Sequence, residues 1–183
     1  MKNKALKEIQ DICNDANLQN IDHQFPVFLD TICDALNIYA NLTKDMPDNM
    51  SGKIFKVQRD DYQYQMDINF NNVPRRVRFT IAHEIGHYVK HKDYIDAHGS
   101  ILERKDHGGY SPEQIKQEKE ANQFASELLM PEYYFAQKYN ELYQQMGYGN
   151  NVNEKVIKEL SDIFWVSTQA VLYRIMMLGL DCA

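Results

Sequence analysis

A chain of 183 residues, 44% hydrophobic and 25% charged, can bury one substantial core with a small appendage. Its net charge of −6 and pI near 5.5 give no global basic footprint for nucleic acid, and no apolar run approaches the roughly 18 residues of a membrane span. Cys13, Cys33 and Cys182 are odd in number and widely spaced, with no C-x-x-C pair or disulfide framework, as suits a reducing cytoplasm.

The first segment, MKNKALKEIQDICND, has lysines but lacks the apolar core of a secretory leader, which again points to the cytoplasm. Its periodicity predicts a helix over 3–20 with Ala5, Leu6, Ile9, Ile12 and Cys13 on one face. A second helix, 26–36, turns Phe28, Leu29, Ile32 and Cys33 inward. The period then switches to alternation. Residues 38–42, 53–58 and 62–70 read as three short strands, separated by polar turns at 48–52 and 59–61. In the third, Tyr62, Tyr64, Met66, Ile68 and Phe70 share a face that covers the core. Were that strand at a sheet edge, its backbone would accept an extended peptide as an added strand.

Pro74 then opens a helix through RRVRFTIAHEIGHYVKH, which contains His83-Glu84-Ile85-Gly86-His87. Residues four apart lie on one helical face, so His83 and His87 can grip one metal ion. Glu84 sits about 100° around the same helix, placed to act as a base without ligating the ion. Ile81, Ala82, Ile85, Gly86 and Val89 form the flank to be buried. His91 continues the four-residue step, but about 12 Å of helix rise separates it from His83, too far to share one ion. It is read as ending the helix, where a cation suits the negative pole. Arg75, Arg76 and Arg78 read as a solvated helix start near the approach of a substrate.

A catalytic zinc takes three protein ligands and keeps one position open. Ser111-Pro112-Glu113-Gln114 signals another helix start, with a capping box and Pro in the first turn, and Pro131 stops that helix. Its apolar stripe is Ala121, Phe124, Ala125, Leu128 and Leu129. Glu118 projects along this stripe, whereas Glu120 lies roughly 160° away. Glu118 is therefore the predicted third ligand, since a buried carboxylate needs a cation. Asn122, one turn on, is placed to hydrogen-bond to a ligand. Residues 92–110 between the two helices match no pattern and are read as a loop. Its His98, His107 and Tyr110 are candidates for a second donor to an oxyanion.

Together, RRVRFTIAHEIGHYVKH and EKEANQFASELLMP resemble the ImmA/IrrE family of metallopeptidases over roughly residues 30–180. The family pattern is an RFTxAHExGH helix followed some thirty residues later by ExxANxFAxxLLMP. The resemblance implies ligands at His83, His87 and Glu118 and the catalytic glutamate at Glu84. It also implies a cytoplasmic bacterial protease that cleaves a helix-turn-helix transcriptional repressor, an anti-repressor.

The last segment, LSDIFWVSTQAVLYRIMMLGL, has a helix-turn-helix outline: one helix ends at Phe164, Ser167 caps the next, and Gly179 stops it. Family members often end in a similar stretch. Only Gln169 and Arg174 look suited to reading DNA, while Leu172, Ile175 and Met176 read as buried. The segment is therefore taken as structural or partner-docking rather than DNA-binding.

The expected fold is α+β and, by analogy, zincin-like: a small antiparallel sheet packed on helices that include the HExxH helix. Residues 1–150 form the metallopeptidase domain and 151–183 the helix-turn-helix-like segment packed on it. The expected activity is zinc-dependent (Zn2+) hydrolysis of a peptide bond in a protein substrate, with Glu84 as general base. Against it stand a metal-bound partner protein that sequesters a repressor or antitoxin uncut, and a DNA-binding regulator.

Overall fold

The computed structural model describes residues 3–13, 18, 25–59, 61–104, 109–147 and 152–180, without the side chains of 102–104 and 152. α1 (Lys4–Ile12) is shorter than the predicted 3–20 helix: Cys13 takes an extended backbone, and residues 14–17 and 19–20 lie outside the described residues. Asn3 caps it, accepting from the Leu6 amide, and its own amide donates to the Leu128 carbonyl 125 residues away. Ala5, Leu6 and Ile9 are buried, but Ile12 is half exposed, so the apolar face ends a turn early. α2 (Leu29–Ala35) starts three residues late. Phe28 is its solvent-exposed N-cap rather than an inward residue.

β1 (Ile38–Thr43), β2 (Met50–Lys56), β3 (Tyr64–Asn69) and β4 (Ser100–Arg104) form one sheet in the order β1-β3-β2-β4. The sheet is mixed and not antiparallel throughout, because β1 pairs parallel with β3 while β2 runs antiparallel to both β3 and β4. The cause lies in the segment 44–49, which crosses the end of β3 instead of turning back beside β1. Asn69, 1% exposed at the end of β3, pins that crossing. Its amide donates to the Pro47 and Met50 carbonyls at 3.3 and 2.9 Å, and its oxygen accepts from the Asn71 amide. Consequently β2 begins at Met50, inside the predicted 48–52 turn.

The inner face of the sheet carries Ile38, Ile54, Tyr64, Met66 and Ile68, all buried. On the other face three paired positions, Asn41, Asp67 and Lys53, join β1, β3 and β2. Asp67 accepts from Asn41 and Gln65 and pairs with Lys53 at 2.9 Å. Against the desolvation of partial burial, these contacts hold its carboxyl below the ordinary range. β3 has a partner on each side, so it offers no edge to an extended peptide.

α3 (Pro74–His98) packs on the inner face and is longer than expected. His91 kinks the helix (φ −131°, ψ 25°) without ending it, and the helix continues to a left-handed Gly99 cap. The supposed loop 92–110 therefore holds the last turns of α3 and then β4. Asp96 on this distal part joins the sheet, pairing with Lys56 at 2.9 Å and accepting from the Tyr64 hydroxyl. α4 (Pro112–Leu129) starts at Ser111 with both halves of the capping box formed, and buries the predicted stripe.

α5 (Glu132–Met146), α6 (Val152–Ile163) and α7 (Thr168–Met177) complete the chain's described elements. Phe135, Val156, Leu160, Phe164, Val171 and Ile175 join the same apolar cluster as the sheet and α3. Leu172 and Met176, read from sequence as buried, are exposed, since only one stripe of the short α7 packs inward. Arg174 is buried instead, its Nε donating to the Met130 carbonyl at 2.9 Å, while Gln169 faces solvent. The arginines at the start of α3 are likewise engaged. Arg75 bonds Ser161, Asp162 and the Val166 carbonyl, Arg76 bonds Ser51, and Arg78 is 7% exposed against the Trp165 ring.

Asn69→Ala removes the two amide donations that tie 44–49 across β3 and leaves the Pro47 and Met50 carbonyls without them. Urea unfolding is expected to show a loss of about 1 kcal/mol, the usual net contribution of part-buried hydrogen bonds.

Candidate metal centre

The straight part of α3 places His83, Glu84 and His87 at 0% exposure, and α4 brings Glu118 against them at 5%. The two imidazole Nε2 atoms lie 2.9 Å apart, with ring planes at 81°. Glu118 reaches both, Oε2 to His83 Nε2 and Oε1 to His87 Nε2, each at 3.3 Å. These three residues could hold one metal ion. Their chemistry fits: a tetrahedral ion with bonds of about 2.0–2.2 Å spaces its donors about 3.3–3.6 Å apart, close to the separations of Glu118 from the two histidines.

The protonation states fit as well. Burial, with His83 beside it, pushes the His87 imidazole down to about 4, so the ring is neutral at neutral pH. Burial works against ionisation of Glu118, but hydrogen bonds to the two histidines outweigh it and hold the carboxyl at about 2. A neutral imidazole beside an ionised carboxylate is the donor state that a divalent cation requires. Asn122 Oδ1 lies 3.1 Å from His83 Nδ1. Accepting that ring proton fixes the tautomer and turns Nε2 toward Glu118.

Two glycines make the geometry attainable. A Cβ on Gly86 would lie 3.1 Å from the Ala121 carbonyl oxygen and 3.2 Å from its Cα, so α3 and α4 touch backbone to backbone one turn from Glu118. The second is Gly52 on β2, which lies against the Glu84 side chain. From sequence, Gly52 falls in a turn and the arginines on a solvated helix start, whereas the structure puts the glycine on β2 and engages the arginines. The signal for Gly52 was faint, because a glycine closing the polar turn 48–52 reads as part of that turn.

The other sequence candidates separate. Glu120, at the margin of α4, sits 3.6 Å from His91 Nε2 and belongs to no histidine–carboxylate cluster with 83 and 87. His91 itself bonds the Gln117 carbonyl. His98 is on the exposed end of α3, stacked on Tyr94 and bonded to its carbonyl, not in a loop at the site. His107 lies outside the described residues. Tyr110 does reach the centre's vicinity: with Glu118, Tyr94, Ser100, Ile101 and Gln117 it lines a cleft of about 220 Å³.

The family described as the IrrE N-terminal-like domain, peptidase M78, matches residues 33–176. The chain belongs to this family. The resemblance to ImmA/IrrE proteins read from the two motifs is thereby borne out, as is the α+β, zincin-like class, and the chain carries a metallopeptidase-like domain. No curated protein matches the M78 chain. Among solved structures, a transcriptional regulator of Mycobacterium tuberculosis aligns at a TM-score of 0.52 and 19% identity, over 80% of this chain. The alignment spans only 39% of that regulator, and it supports the fold. Among the described residues no helix is long and apolar enough to cross a membrane.

The cluster predicts about one divalent metal ion per chain, measured by elemental analysis of purified protein. Ala at His83, His87 or Glu118 is expected to abolish retention. Ala at His91 or Glu120 is expected to leave it unchanged. Loss of metal in Glu120→Ala with retention in Glu118→Ala would reverse the helix-face assignment.

Proposed function

We propose that this M78 chain is a cytoplasmic zinc metallo-endopeptidase whose substrate is a protein, of the class of helix-turn-helix transcriptional repressors. The observation that carries the reading is the buried triangle of His83, His87 and Glu118 donors with Glu84 buried on the adjoining arc of α3. Residues 1–150 are taken as the catalytic unit and 151–183 as a segment packed on it.

In this reading His83, His87 and Glu118 are the zinc ligands and Asn122 orients His83. A zinc ion held there supplies Lewis acidity toward water and toward the scissile carbonyl. Glu84 accepts a proton from the attacking water as the carbon–oxygen bond forms, and delivers it to the amine nitrogen as the carbon–nitrogen bond breaks. Tyr110, beside the cleft, is the surviving described candidate to donate to the developing oxyanion. β4 pairs only with β2 among the described strands, and its Ser100 and Ile101 line the cleft. An extended substrate segment adds to that edge, which supplies main-chain hydrogen bonds beside the metal.

Glu84→Gln keeps the side chain's length and removes its basicity. Metal content and thermal stability are expected to stay near wild type, while cleavage of a purified repressor partner falls by about 10²–10⁴-fold. Sequestration is the outcome that overturns the reading: wild type and Glu84→Gln then bind the partner alike, and neither yields a fragment.

A further inference from the structure

β2 carries an irregularity at the height of Glu84. Its pairing with β4 slips between Met50 and Gly52, so that Ser51 has no opposite residue. A bulge of this kind re-aims consecutive side-chain positions. Here it turns both Ser51 and Gly52 toward α3, and both are buried. The Ser51 hydroxyl meets Arg76 Nη2 at 2.9 Å. Gly52 meets the next turns of the helix: a Cβ built on it would stand 2.6 Å from Glu84 Oε1 and 2.7 Å from Thr80 Cγ2.

Backbone conformation does not demand glycine here, because φ at Gly52 lies outside the left-handed region. What demands it is the carboxylate. β2 is an interior strand with ladders on both sides, and the Ser51–Arg76 bond ties its bulge to α3, so the strand cannot back away. Thr80 is β-branched and stiff about χ1. The nearest colliding atom, Glu84 Oε1, is the far end of an unbranched side chain with three torsions, whereas Thr80 and the strand are stiffer.

We propose that Gly52 is a positioning residue for Glu84: its bare Cα is the seat of the carboxylate, and any side chain at 52 evicts it. This rests on the peptidase reading for its consequence in catalysis, but not for the contact. An alanine at 52 leaves His83, His87 and Glu118 where they are and displaces the base, with the Thr80 methyl, 2.7 Å from the new Cβ, also having to yield. The effect is therefore on the chemical step, since a general base must stand within hydrogen-bond reach of the proton it takes.

The test is the full-length, zinc-loaded Gly52→Ala chain, with a pool of quenched fluorescent peptides as the substrate probe. Its crystal structure is expected to show β2 in place and the Glu84 carboxylate moved until its contact with the new methyl reaches ordinary van der Waals separation, 3.4 Å or more. Metal content stays at the wild-type level, kcat falls at least about tenfold, and KM is nearly unchanged. A structure in which β2 has retreated and Glu84 has kept its position overturns the proposal, as does an unaltered kcat. If Gly52→Ala does not fold, Thr80→Ser is added to remove the methyl contact, and the further addition of Glu84→Ala decides: recovery of folding on loss of the carboxylate supports the contact, and continued failure refutes it. A wild type that cuts no peptide or partner defeats the peptidase reading alone, because the displacement of Glu84 is read from the structure.

Discussion

The close passage of α3 over α4 is the constraint on which this molecule turns. A glutamate side chain is short, and Glu118 can meet two imidazoles on a neighbouring helix only if the two backbones almost touch. They do so at Gly86 and Ala121, where a methyl group on the glycine would press on a peptide oxygen and on the Phe124 ring. The contact is reinforced from outside by α1. Asn3 bonds the Leu128 carbonyl of α4, while Glu8 pairs with Lys90 of α3, so the first helix straps both members of the pair. Burying three titratable groups together is unfavourable unless each finds a partner. The strap and the small residues at the crossing keep them in mutual reach.

The remaining architecture serves to hold α3 still. The sheet grips it on one side through Ile54, Tyr64, Met66 and Ile68, and the distal part is tied by Asp96 to Lys56 and Tyr64. Arg75 fastens its first turn to the α6–α7 junction through Ser161, Asp162 and the Val166 carbonyl. The C-terminal helices are thus connected to the start of the histidine helix. Arg174, a residue of the kind that grips phosphate on a DNA-binding helix, has its Nε committed to the Met130 carbonyl inside the protein.

How much of this could be read from the sequence follows from how local each feature is. The α4 start was legible because a capping box is written in four consecutive residues, and the choice of Glu118 over Glu120 followed from one helix's own periodicity. The parallel β1–β3 pairing was not legible, because alternation reveals which face a strand buries and not which strand lies beside it. β4 was missed for a similar reason: five residues reading SILER become a strand only because β2 offers an edge. Leu172 and Met176 were misjudged because α7 is apolar on more faces than its neighbours cover. The arginines of α3 looked solvent-bound since their partners, Ser51, Ser161 and Trp165, are distant in sequence.

β4 has one consequence of its own. Among the described residues it is joined to the sheet by a single ladder of five paired positions, one of them across the bulge, while β2 and β3 are held on both sides. Segments with fewer ladders open at lower free energy than the molecule as a whole. β4 also pairs with a strand more than forty residues earlier, so its docking closes a long loop that contains all of α3. The wall of the cleft is therefore carried by a strand with one described ladder, whereas the three donors stand on helices packed against each other. Local opening can widen the cleft while the histidine–glutamate triangle, borne entirely by helices, stays assembled.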